Sequence, residues 1–73
     1  MTTVTWTAKN NSSFLNGSRE AKSVAAAVRT GRHYVRNELY GEGVLTIFED
    51  GQPVRQDRCD IFTGGRWETS TDL

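Results

Sequence analysis

One stretch with helical period, residues 18–40, stands between segments that alternate with period two, and that order limits the chain to a mixed α+β fold. Ahead of it, Val4, Trp6 and Ala8 alternate with Thr3, Thr5, Thr7 and Lys9, the pattern of a half-buried strand. Within it, Ala21, Val24, Ala25 and Val28 fall at i, i+3, i+4 and i+7, and Val35 and Leu39 continue the stripe. Ser18 reads as the N-cap, with Glu20 in the first turn favouring the helix dipole. Gly31 allows two readings. It can close a helix of about three turns, or it can sit inside a longer one at a cost near 1 kcal/mol. The continuing stripe favours the long helix, over 18–40, with Gly41 as the C-cap.

Beyond the helix, Asp50-Gly51 lies between two apolar, β-branched runs, the strongest short-range hairpin signal. A two-residue loop there pairs Glu49 with Gln52, Phe48 with Pro53 and Ile47 with Val54. Leu45, Ile47 and Val54 then face the core, while Val44, Phe48 and Arg55 face away. Cys59 and Ile61 also read as core but fall on the other parity, so a bulge or strand end is expected near Arg58. Gly64-Gly65 marks a further turn, and Trp67 opens a last extended piece. The run "NNSSFLNGS" before the helix reads as a loop, or hides a short return strand that brings Phe14 to the core. The expected architecture is one domain over residues 1–73 in the order β-α-β-β-β. One long helix packs on one face of a small, mainly antiparallel sheet.

With 73 residues, such a core stabilises the fold by roughly 3–5 kcal/mol. A single cysteine excludes an intrachain disulfide, and a single histidine beside it excludes a Cys/His zinc staple. Packing must supply the stability, alone or with self-association. Cys59 is expected as a buried small hydrophobe in a reducing compartment. The start "MTTVTWTAKN" has no basic and apolar signal segment, and no run approaches the roughly 20 apolar residues of a membrane span. The expectation is a soluble cytoplasmic protein.

The formal net charge of zero hides an asymmetry. Residues 1–40 hold six Lys/Arg against two Asp/Glu, and residues 41–73 hold three against seven. Much of the excess lies in the helix. At 100° per residue, Lys22, Arg29, His33, Arg36 and Tyr40 share one ridge beside the apolar stripe, and Arg32 must snorkel out of the stripe. Catalytic patterns are missing: His33 has no orienting partner nearby, no nucleophile elbow or phosphate loop occurs, and no metal-ligand spacing is present. Asp57 and Asp60 read as counter-charges to Arg55 and Arg58. Trp6 and Trp67 both read as core, with half-exposure the alternative for Trp67 because it follows Arg66 in a late, polar segment. One helix covers one sheet face, so Val44 and Phe48 remain on an apolar patch that self-association would hide.

Residues 18–54, "SREAKSVAAAVRTGRHYVRNELYGEGVLTIFEDGQPV", resemble small bacterial domains of strand-helix-hairpin type. The shared features are a helix opening on Ser, an alanine-rich middle, a glycine exit into a strand and a DG hairpin. The resemblance implies the fold and brings no activity with it. The expected function is therefore a non-enzymatic interaction module with no cofactor and no metal, binding a protein partner or a second copy of itself. Its candidate partner surface is Lys22, Arg29, His33, Arg36 and Tyr40, and its candidate self-association surface is Val44 and Phe48. The alternative is nucleic-acid or polyanion binding through the basic ridge, although the zero net charge argues against a uniformly basic binder.

Overall fold

A computed structural model describes residues 2–10, 16–71 and 73. Its elements are β1 (Val4–Lys9), β2 (Asn16–Ala21), α1 (Val24–Glu38), β3 (Gly43–Glu49), β4 (Gln52–Cys59) and β5 (Glu68–Ser70), with a 3-10 turn at Ile61–Thr63. The strands form one antiparallel sheet in the order β2-β1-β3-β4-β5. Helix α1 packs on one face of it, which makes the fold α+β as the periodicities require. Val4, Trp6, Ala8, Leu45 and Ile47 from the sheet and Ala27, Val35 and Leu39 from the helical segment form the core.

The element order differs from expectation by one strand. Residues 16–21 pair with β1 along its whole length, from Val4 opposite Ala21 to Lys9 opposite Asn16. Without β2, the six-residue β1 would be a bare edge, so pairing overrides the weak strand propensity of "NGSREA". Ser18 is therefore a strand residue and not a helix cap. The cap is Ser23, whose hydroxyl accepts a hydrogen bond from the Ala26 N–H at 3.1 Å. Helix α1 spans 24–38 rather than 18–40, and Lys22 lies outside it. The expected role of Phe14 falls outside the described residues.

Gly31 lies inside the helix, fully turned to the sheet with Ala27 and Val35. A Cβ there would overlap Leu45 Cδ1 and lie 2.7 Å from Cδ2 and 3.0 Å from Cγ. Leu45 is completely buried, so it has no room to retreat. The missing side chain is what lets α1 approach β3. It also turns the buried line to Ala27-Gly31-Val35, leaving Ala25 exposed and Val24 and Val28 half-buried. A second glycine, Gly17, lets the Tyr34 ring lie against β2: a Cβ there would come within 2.9 Å of three ring atoms. Tyr34 in turn tilts against Trp6, centroids 5.5 Å apart.

The hairpin forms as the Asp50-Gly51 signal requires, with both residues at positive φ (51° and 83°). Asp50 also ties the turn to the start of β1, accepting from the Thr3 N–H at 2.8 Å. Glu49 pairs with Gln52 and Phe48 with Pro53, but Ile47 pairs with Arg55. The bulge is therefore at Val54, next to the turn, and not near Arg58. It moves Arg55, Asp57 and Cys59 to the helix side and puts Arg58 opposite Val44 on the open side. Cys59 is buried as expected. Ile61 is not core: it sits in the 3-10 turn, 73% exposed.

Gly31→Ala tests the close approach. Helix propensity gains about 1 kcal/mol, while overpacking against Leu45 costs about 1–3 kcal/mol. Urea unfolding is expected to show a net loss. In a Leu45→Ala background the same substitution is expected to become neutral or stabilising.

Candidate functional site

Asp57 anchors the first cluster. Its side chain is fully buried between α1, β4 and β5. Arg32 Nε donates to Oδ2 at 2.8 Å, and Arg55 Nε donates to Oδ1 at 2.9 Å. Both arginines also reach the Thr69 hydroxyl, at 3.5 and 3.4 Å. The Arg32 guanidinium stacks 4.9 Å above the Trp67 ring, which is half-buried. Burial pushes the Asp57 carboxyl pKa up, but hydrogen bonds from Arg55, Arg32 and Thr69 together outweigh it and hold the group below its ordinary value. This cluster is structural: it pins a three-residue strand and one flank of the helix to the sheet.

The second cluster is that helix flank. Arg29, Arg32 and Arg36 follow at i, i+3 and i+7 and share one side of α1. Among the described residues the ion pairs are Arg32–Asp57, Arg55–Asp57 and Arg58–Asp60. Arg29 and Arg36 are exposed and carry no counter-charge. His33, exposed at the crest, has its Nε2 3.0 Å from Asn37 Nδ2, which also donates to the His33 carbonyl at 2.9 Å. An open concavity of about 740 Å³ wraps the solvent side of the helix. Trp6, Arg19 and Tyr34 line it on the β2 side, and Arg29, Arg32, Arg36 and Trp67 on the other. Glu38 is its only carboxylate among the described residues. Of the expected ridge, Arg29, His33 and Arg36 share the helix surface. Lys22 precedes the helix, and Tyr40 follows it.

The third group sits at one end of the sheet, where β3 begins opposite the end of β4. Tyr40 follows the helix at a left-handed φ of 59° and is 83% exposed. Phe62, 81% exposed, sits beside Ile61 in the 3-10 turn. That turn is tightly held. Asp60 Oδ1 accepts from the Phe62 and Thr63 N–H groups at 2.8 and 3.0 Å, and the Asp60 N–H donates to the Thr63 hydroxyl at 3.0 Å. Arg58 Nε donates to Asp60 Oδ2 at 2.6 Å, and its guanidinium lies 6.0 Å from the Phe62 ring centre. The sequence points to Tyr40 as a partner-surface residue but not to Ile61 and Phe62. The signal was available: Asp60 and Thr63 at capping-box spacing before Gly64-Gly65 mark a turn that pushes residues 61 and 62 outward.

The uncovered sheet face carries Val44 and Phe48, both half-buried, with Thr46 between them. Registers place Thr5, Thr7, Ser18, Gln56 and Ser70 around them on the same face. Lys9, Glu20, Arg58 and Glu68 stand on it as well, so Val44 and Phe48 are surrounded by polar and charged groups. Among the described residues no group of His, Cys, Asp or Glu is placed to hold a metal. Among the described residues no helix is long and apolar enough to cross a membrane. Comparison with known protein families, curated proteins and solved structures finds no match.

The depressed Asp57 pKa fixes the sign of the acid response. The unfolded carboxyl takes up its proton near pH 4, above the native value, so the ion pairs stabilise the fold above about pH 4. That stabilisation is lost as pH falls through the native pKa. Urea midpoints are expected to drop between about pH 5 and 2, and Asp57→Asn is expected to flatten that drop. At pH 7 Asp57→Asn is expected to cost roughly 2–3 kcal/mol, less than a fully buried pair because both arginines are partly solvated.

Proposed function

We propose that this chain is a small non-enzymatic protein-interaction module that docks a partner protein through Tyr40, Ile61 and Phe62. The observation that supports this reading is the exposure of three large side chains, each above 70%, on ordered turns at one end of the sheet. Monomeric domains rarely spend their largest apolar residues on water in this way, and interface anchors are typically aromatic. Tyr40 adds a second argument. A non-glycine residue in the left-handed region costs about 1 kcal/mol, Gly would relieve it, and an 83% exposed ring recovers little of that by packing. The lone buried Cys59 favours a reducing compartment such as the cytoplasm. The open face with Val44 and Phe48 is the surface a second copy would use, and its polar surroundings favour the turn end instead.

The test compares the wild-type chain with Ile61→Ser/Phe62→Ser, whose stability should change by less than about 0.5 kcal/mol per surface site. A protein retained by the first and not the second in affinity capture, then titrated in purified form with the same difference, supports the reading. Identical capture profiles contradict it. Tyr40→Gly is expected to raise stability by about 1 kcal/mol while weakening the same partner. Sedimentation velocity over a concentration series separates self-association: a dimer abolished by Val44→Thr/Phe48→Thr would move the interface to the sheet face.

A further inference from the structure

Three arginines at i, i+3 and i+7 on one helix flank repel one another, at a few tenths of a kcal/mol per neighbouring pair. The protein neutralises only the middle one. Arg32 is held on Asp57 and stacked on Trp67, with a third of its side chain still open to solvent. Arg29 and Arg36 flank it, exposed, with no carboxylate against them among the described residues. Elsewhere, Arg55 and Arg58 are each matched to a buried aspartate. Three paired arginines hold the fold, and Arg29 and Arg36 line the open concavity over α1 beside Arg19, with Glu38 the one carboxylate among the described lining residues.

We propose that the Arg29–Arg36 flank of α1 is a nucleic-acid contact surface that binds the phosphate backbone without reading sequence. This goes beyond the protein-docking role of the turn end and does not depend on it. Seven residues of helix separate Arg29 from Arg36, about 10 Å along the axis. Neighbouring phosphates of a strand wind around its axis and lie farther apart than the axial rise, so the two exposed arginines reach two phosphates of one strand. Arg32, held between them on the Trp67 ring, keeps the flank rigid. His33 at the crest adds hydrogen-bonding capacity to phosphate or sugar. The one amide among the described residues of this surface, Asn37, is turned back onto the His33 ring and carbonyl, so the groups left free along the row are cations suited to phosphate. Binding is therefore expected to be weak, salt-sensitive and indifferent to sequence.

Fluorescence anisotropy with a 30-base-pair DNA duplex, a 30-nucleotide DNA strand and a 30-nucleotide RNA tests this at 50–200 mM salt. The variants are Arg29→Gln/Arg36→Gln, Arg29→Gln alone, and Arg66→Gln, which removes one exposed charge that does not line the concavity. The double variant removes repulsion within the helix, so its thermal midpoint should not fall. The expected result is binding at 50 mM salt that weakens as salt rises. Loss of two contacts should lower the log–log salt slope on duplex by about 2 and the affinity at 50 mM by at least tenfold. Arg29→Gln should weaken binding more than Arg66→Gln does at the same net charge. No binding to any of the three at 50 mM salt overturns the proposal. So does equal weakening by Arg29→Gln and Arg66→Gln, which would mark a general charge effect. Equally tight binding to poly-glutamate or to anionic lipid vesicles would also overturn it, by assigning the flank to acidic proteins or to membranes.

Discussion

The helix side of the molecule depends on an atom that is not there. Gly31 faces the buried Leu45 at a distance no side chain could share, and this lets α1 settle onto the middle strand of the sheet. That approach closes the core between Trp6, Ile47, Ala27 and Val35 in a chain whose single cysteine excludes an intrachain disulfide. It also fixes the rotation of the helix about its own axis. Once Ala27, Gly31 and Val35 point inward, Arg32 must descend on the β4–β5 side and Tyr34 on the β2 side. Both find prepared partners: Asp57 with Trp67 on one side, Gly17 with Trp6 on the other.

The two proposed surfaces are consequences of where such a small fold puts its unused groups. A sheet of five strands carries one helix, so the charged outer half of that helix has no second layer to meet. Its arginines divide into one that is consumed by the core-side carboxylate and two that are left in water. At the end of the sheet, the short connections after α1 and β4 have no layer above them either. Their backbone is nevertheless well held, by left-handed turns and by the Asp60 cap. Rigid turns with large apolar side chains lower the entropy lost on docking, which separates them from loops that are apolar by accident.

Much of the architecture could be read from the residues because local and global signals agree there. The β1 alternation, the Asp50-Gly51 turn and the helical stripe through Val35 and Leu39 all survive in the fold. The failures have separate causes. Strand β2 is legible only as the alternative of a return strand before the helix, because "NGSREA" contains no β-branched or aromatic residue; its conformation is imposed by the edge of β1. Ser18 and Ser23 are both good caps, and pairing with β1 decides between them. The position of the bulge is not legible because one extra residue anywhere before Cys59 restores the parity of Cys59; only an insertion ahead of Arg55 also turns Arg55 and Asp57 to the helix side. Ile61 was assigned to the core on hydrophobicity alone, although the Asp60–Thr63 capping box dictates a turn. Burial of Asp57 was beyond a sequence reading, since its counter-charges come from Arg55 two residues away and from Arg32 on another element.

The central claim is that α1 runs unbroken through Gly31 against Leu45, so that Arg29, Arg32 and Arg36 share one flank. Solution NMR of the intact chain addresses it directly. The account predicts helical Cα shifts from Val24 to Glu38 and strong contacts from the Gly31 α-protons to both Leu45 methyl groups. It also predicts an Arg32 side-chain N–H protected by Asp57. Extended shifts over residues 32–37, with no Gly31–Leu45 contact, would contradict it: the helix would end at Gly31, and the arginines beyond it would alternate across a strand.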